Sequence, residues 1–90
     1  MIIELSLTAP EHAPLIEGYH EVFSEEHYFS IEWDYPVLPG MGESFDEAYI
    51  RSLLAGKVNM ERLPHIWTIV DRKWIKHASG MFPRLYVVGK

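Results

Sequence analysis

Apolar and polar residues alternate at the start of the chain. Ile3, Leu5 and Leu7 are interleaved with Glu4, Ser6 and Thr8, the two-residue period of a strand with one wet face. Ala9-Pro10 ends that run. The spacing then changes: Leu15, Ile16, Tyr19, Val22 and Phe23 form a helical stripe, which predicts a helix over about 13–24. Pro14 suits its first turn, while Gly18 weakens its interior by about 1 kcal/mol relative to Ala. Alternation returns at Phe29, Ile31, Trp33 and Tyr35 against Tyr28, Ser30, Glu32 and Asp34, predicting a half-buried strand with an acidic outer face. Pro36, Pro39, Gly40 and Gly42 make a loop that cannot continue a ladder. Ser44-Phe45-Asp46-Glu47 then matches a capping box. Phe45, Ala48, Tyr49 and Leu53 give the apolar side of a helix over about 44–55, which Gly56 stops.

The strongest pattern lies in the last third, Ile66 to Val88. Two runs rich in β-branched and aromatic residues flank Ser79-Gly80 and predict a hairpin. In its first strand Trp67, Ile69, Asp71, Lys73 and Ile75 share one parity, and Thr68, Val70, Arg72, Trp74 and Lys76 share the other. Neither parity is purely apolar. The conflict centres on Asp71-Arg72-Lys73, as expected where a long strand bends, carries a bulge or leaves the cover of a helix. In the returning strand Leu85 and Val87 share a face, and Pro83 is tolerated at a strand start or edge.

These elements predict an α+β fold: a small bent antiparallel sheet or partly open barrel of four to five strands, with helices at about 44–55 and about 13–24. Ninety residues make a single small domain over 1–90, with no internal repeat. At 48% hydrophobic residues the chain is too apolar for a disordered segment, and no apolar run is long enough to span a bilayer. The absence of cysteine excludes a disulfide framework and a thiolate zinc site. MIIELSLTAPEH has neither the basic leader nor the long apolar segment of a secretory signal, so a cytoplasmic location and no membrane partner are expected.

Charge changes the picture more than composition does. Residues 1–50 hold eleven acids and no Lys or Arg, whereas residues 51–90 hold eight bases against Glu61 and Asp71. The net charge of −5 therefore hides a chain with an acidic half and a basic half. Lateral pairing of the two halves would neutralise part of this; Glu4, Glu32 and Asp34 are the acids expected beside the basic hairpin.

Candidate chemistry is thin. Five histidines are present, and Glu17 with His20 has the spacing of one half of a di-iron helix pair, but the remaining motifs are missing. A divalent-metal set of His20, Glu21 and His27 competes poorly with solvated side chains. No nucleophile-elbow pattern occurs, and the GMGES loop carries an acid where a phosphate cradle needs a Lys. No catalytic residue and no cofactor are assigned.

Two resemblances follow from these motifs. The opening strand with TAPEHAPLIEGYHEVF resembles the first strand and helix of a GNAT acetyltransferase over about a quarter of the chain. The glycine-rich segment by which those enzymes grip acetyl-CoA is missing, so the likeness implies no acetyl transfer. LPGMGES, WTIVDRKW and LYVV, within residues 37–90, resemble small uncharacterised bacterial or mobile-element proteins with an SH3-like or bent β-sheet barrel. That likeness implies a fold type without an assigned chemistry.

The function expected from the residues is non-enzymatic. Tyr28, Tyr35, Trp74, Met81 and Phe82 are more apolar surface than one small core absorbs, and such side chains anchor interfaces. The hairpin supplies the candidate interface, Arg72, Lys73, Trp74, Lys76, Met81, Phe82 and Arg84, for a protein partner or a second copy of the chain. Its mixture of bases with an aromatic ring keeps nucleic acid as the alternative partner.

Overall fold

A computed structural model describes residues 1–9, 22–23 and 27–90. Among the described residues five strands and one α-helix follow in the order β1 (Ile2–Thr8), β2 (Phe29–Glu32), β3 (Ser44–Phe45), α1 (Glu47–Leu54), β4 (Trp67–His77) and β5 (Gly80–Gly89). A single 3-10 turn, Met60–Arg62, precedes β4. The strands form one curled sheet, a half-barrel, in the order β2-β1-β5-β4-β3. The α+β class and the small bent sheet are as the pattern predicted. One pairing differs from the rest: β1 runs parallel to β5, and the other three pairs are antiparallel.

Alternation in β1 places Ile3, Leu5 and Leu7 on the front of the sheet, level with Leu85 and Val87 of β5 and with Phe29 and Ile31 of β2. Trp67 and Ile69 of β4 complete that face, and Ile50 and Leu54 of α1 pack onto it. Burying each such side chain contributes about 1.5–3 kcal/mol relative to exposure. The predicted helix over 13–24 lies outside the described residues except for Val22 and Phe23, both buried in this core. The Phe23 ring stacks on Trp67 at a centroid distance of 6.2 Å. Trp67 is fully buried, and its indole N–H donates to the Pro64 carbonyl at 3.1 Å, so its polar atom is satisfied. Gly89 must be small here, because a Cβ would lie 2.8 Å from both Pro64 Cγ and Trp67 Cζ3.

The helix starts later than the capping box implies. Ser44 and Phe45 pair with Thr68 and Trp67 as β3, and the Ser44 and Thr68 hydroxyls hydrogen-bond at 3.1 Å. Asp46 caps α1 instead, accepting the Ala48 N–H at 3.3 Å. Gly56, at φ +76°, follows the last turn as expected for a left-handed stop. The second strand is also shorter than its alternation suggests. Ladder pairing with β1 ends at Glu32, where the Trp33 N–H and carbonyl bond the Met1 carbonyl and ammonium at 2.7 and 2.9 Å. Tyr35 lies beyond the ladder and is 69% exposed.

The parity conflict in β4 has a local cause. Ile69 pairs with Val87, and the next pair is Asp71 with Tyr86, so Val70 is an extra residue in a bulge. Without it, Asp71 would oppose Leu85 on the core face. With it, Arg72 opposes Leu85 and the charged triplet is accommodated. The outer edge of β4 is occupied only up to this point, where Ile69 exchanges backbone bonds with Gly42 and Glu43 at 2.8 and 2.9 Å. Beyond it, β4 and β5 have only each other as strand partners among the described residues up to Pro83, because β1 pairs with β5 from Arg84 onward. This segment is a two-stranded arm. Ala78-Ser79 turns it, and Gly80, at φ +138°, takes up the backbone strain of closing the hairpin.

Candidate functional site

The register divides the predicted interface between two faces of the arm. Trp74 opposes Pro83, Lys76 opposes Met81 and Arg72 opposes Leu85, so Arg72, Trp74, Lys76 and Met81 all lie on the front. Lys73 opposes Arg84 and Ile75 opposes Phe82, which puts Lys73, Phe82 and Arg84 on the back. Trp74 is 52% and Met81 55% exposed, and Arg72 and Lys76 are exposed between them. Among the described residues none of these four side chains has a hydrogen-bond or ion-pair partner, while Pro83, opposite Trp74 on the same face, is fully buried.

The back of the arm is closed on itself. The Glu4 carboxylate, 3% exposed, accepts Arg84 Nε at 2.9 Å on one oxygen and lies 2.7 Å from His77 Nε2 on the other. Glu4 and Arg84 are direct cross-strand partners in the parallel β1/β5 pair. The guanidinium, 11% exposed, stacks on Tyr28 with Cζ 4.2 Å from the ring centroid. His77 in turn packs between Tyr28 and Phe82, at 5.9 and 5.8 Å between centroids. Arg84 is thus committed to an internal contact, unlike the front-face bases. Lys73 sits over Tyr86 at 5.4 Å. Of the acids expected beside the hairpin, Glu4 alone meets it; Glu32 lies 3.7 Å from the Met1 ammonium. The Ser6 hydroxyl, buried two residues along β1, has no hydrogen-bond partner.

A second feature lies at the other border of the sheet. An open groove of about 480 Å³ separates the end of β2 from β3 and α1. Trp33 and Tyr35 form its β2 side, edge to face at 5.1 Å, and Phe45 and Tyr49 form the opposite side at 5.9 Å. Trp33 is held in place by its indole N–H, which donates to the Val37 carbonyl at 3.1 Å. Among the described residues that line the groove, Glu32, Asp34 and Asp46 carry charge and none is Lys, Arg or His. Partial burial raises the Tyr49 phenol above its ordinary value, favouring its neutral form. Sequence reasoning singled out Tyr35 as surplus aromatic surface but missed this constellation. Its signal is the Trp33-Asp34-Tyr35 and Phe45-Asp46 alternation of rings with acids, in two segments that only the curl of the sheet brings together.

Of the metal set, His20 and Glu21 lie outside the described residues, as does Glu17, and the His27 ring packs against Phe29 at 5.0 Å. Among the described residues no three potential ligands cluster, and no helix is long and apolar enough to cross a membrane. His65 meets Glu47 at 2.8 Å on the exposed face of α1, an ion-pair position beside Arg51. In comparisons with known proteins, no family model, no curated protein and no solved structure matches the chain.

Proposed function

We propose that the chain is a small non-enzymatic interaction module that docks on a protein, or on a second copy of itself, through the front of the β4/β5 arm. The observation that carries this reading is the shared face of Arg72, Trp74, Lys76 and Met81, with Trp74 and Met81 each more than half exposed. An aromatic ring and a flexible thioether flanked by cations form the kind of patch that becomes the dehydrated centre of an interface with a charged rim. Trp74 and Met81 keep more than half of their surface exposed, and that surface is available to a partner. The back-face cluster argues in the same direction, because its carboxylate, imidazole and guanidinium already satisfy one another and leave no acid or base idle.

Variants Trp74→Ala and Arg72→Glu/Lys76→Glu test the reading. Arg72→Glu/Lys76→Glu lies at exposed positions and should keep folding stability within about 0.5 kcal/mol of the parent in urea titrations, whereas Trp74→Ala removes a half-buried ring opposite Pro83 and should cost no more than about 2 kcal/mol, leaving the chain folded. Light scattering coupled to size exclusion, over rising protein concentration, should then show self-association in the parent that both variants lose. If the parent is a strict monomer, affinity capture with parent and Trp74→Ala as paired baits must yield a protein retained only by the parent. A parent that is monomeric and has no Trp74-dependent partner contradicts the proposal.

The alternation Arg72, Trp74, Lys76 on one face favours a second reading, single-stranded nucleic acid, in which the bases meet phosphates and Trp74 stacks on a base. Titration of labelled oligonucleotides would then give affinity that falls with salt, with a logarithmic slope of about −0.7 per phosphate contact. Flat titrations at low salt remove that reading and leave protein docking in place.

A further inference from the structure

We infer that the groove between β2 and α1 is a separate binding site for an organic cation, an alkylated ammonium or guanidinium group on a short apolar stem. The site goes beyond the arm-docking reading and does not depend on it, since the groove and the arm share no residue.

Three properties of the groove select that ligand class. Its walls are aromatic: Trp33 and Tyr35 on the β2 side and Phe45 and Tyr49 on the other present ring faces and edges to an opening of about 480 Å³. That volume lies within the range of small-molecule sites, and it leaves room for a head group and stem. Ring faces attract a desolvated cation through their quadrupoles, and a soft alkylated cation gives up its water more readily than a metal ion does. Among the described residues the acids around the groove form no cluster of three potential metal ligands.

The charge is also of one sign and incompletely neutralised. Glu32 has the chain's ammonium at 3.7 Å, but Asp34 and Asp46 have no ion-pair partner among the described residues. Asp46 uses one oxygen to cap α1, and its second oxygen has no hydrogen-bond partner among the described residues. An anionic or neutral apolar ligand would have to tolerate these carboxylates; a cation is complementary to them.

Finally, the walls are fixed before any ligand arrives. The indole N–H of Trp33 is tied to Val37, Phe45 is paired with Trp67 in the β3/β4 ladder, and Tyr49 sits one residue before buried Ile50 on α1. Preformed walls lower the ordering cost of binding. Tyr35, 69% exposed, is the one ring free to close over a bound group.

The test uses the full chain, nitrogen-labelled, with the Trp33 indole N–H signal as reporter. Choline and its uncharged isostere 3,3-dimethylbutan-1-ol are the two probes. Choline should give a saturable shift, and the neutral alcohol should bind about tenfold more weakly, since the two differ only in charge. Asp34→Asn and Tyr35→Ala, both at exposed positions, should each weaken choline about threefold or more while leaving the rest of the spectrum in place. Capped tripeptides with a central arginine or trimethyllysine distinguish the source of the cation. Tighter binding than choline assigns it to a protein side chain, and equal or weaker binding assigns it to a free small molecule. Equal response to choline and the alcohol, or no saturable shift up to about 50 mM choline, overturns the inference, whatever the arm does.

Discussion

Glu4 is the residue on which the back of the sheet depends. A carboxylate this deeply buried is stable only because Arg84 and His77 approach both of its oxygens, and because β1 and β5 run in parallel with Glu4 and Arg84 in register. Removing one member of such a pair strands the other charge in a region already closed to water. Glu4→Ala should therefore destabilise the fold by about 3 kcal/mol, read as a lowered urea midpoint with an unchanged slope. Arg84→Met should also be costly, because it leaves the carboxylate with His77 alone. Combining Glu4→Ala with Arg84→Met removes both charges, so the double variant should be more stable than the sum of the two single effects by at least about 1 kcal/mol. Strict additivity would show that the pair contributes nothing as a pair. The alternation of β1 in sequence shows that Glu4 faces away from Leu5. It does not show that this second face is closed as well, since Tyr28, His77 and Arg84 come from three other places in the chain.

At the scale of elements, the arm and the body of the hairpin should behave as different material although they are the same two strands. Leu85 to Val88 have β1 on one side and β4 on the other, with the core beneath. Among the described residues, 72–77 and 80–83 have a ladder on one side only, and Trp74 and Met81 are more than half exposed on the front. Native-state hydrogen exchange should therefore separate them: amides at 85–88 should open only with global unfolding, and the arm should open locally with a free energy several-fold smaller. In β4, amides pointing away from β5 beyond Ile69 should exchange almost unprotected. Uniform protection along both strands would mean that the arm is covered in solution, and self-association would then be the first thing to examine. The hairpin, the alternation of β1 and the stop at Gly56 were legible in sequence because each is a local pattern. The conflict at Asp71 to Lys73 gave the presence of an irregularity, and its resolution by a bulge at Val70 assigns the faces. What stayed illegible was non-local. The parallel β1/β5 pairing carries no signature in either strand alone. Likewise, Ser44 reads as a helix cap until Thr68 is placed opposite it, at which point Asp46 takes over the capping.

For the whole molecule, net charge and charge arrangement make opposite predictions about how copies of the chain interact. At −5, two copies should repel on average. The charge is not averaged, however. Pairing of Glu4 with Arg84 consumes one base of the basic half, and Arg72 and Lys76 remain exposed on the front of the arm. The groove keeps Asp34 and Asp46, and its lining includes no residue of the arm. An encounter that brings the arm of one copy to the groove of another is attractive, and because the two surfaces differ, such contacts run head to tail and do not close on themselves. Static light scattering at about 10 mM ionic strength, where the screening length is about 30 Å, should therefore give a negative second virial coefficient in spite of the net charge. Raising the salt to about 150 mM shortens that length to about 8 Å and should move the coefficient toward zero from below. Arg72→Glu/Lys76→Glu should make it positive at low salt, because only acids then remain on both surfaces. A parent protein that is repulsive at low salt and becomes less so as salt is added would show that net charge governs, and that the segregation of acids and bases along the sequence is neutralised in three dimensions beyond the Glu4–Arg84 and Glu47–Arg51 pairs.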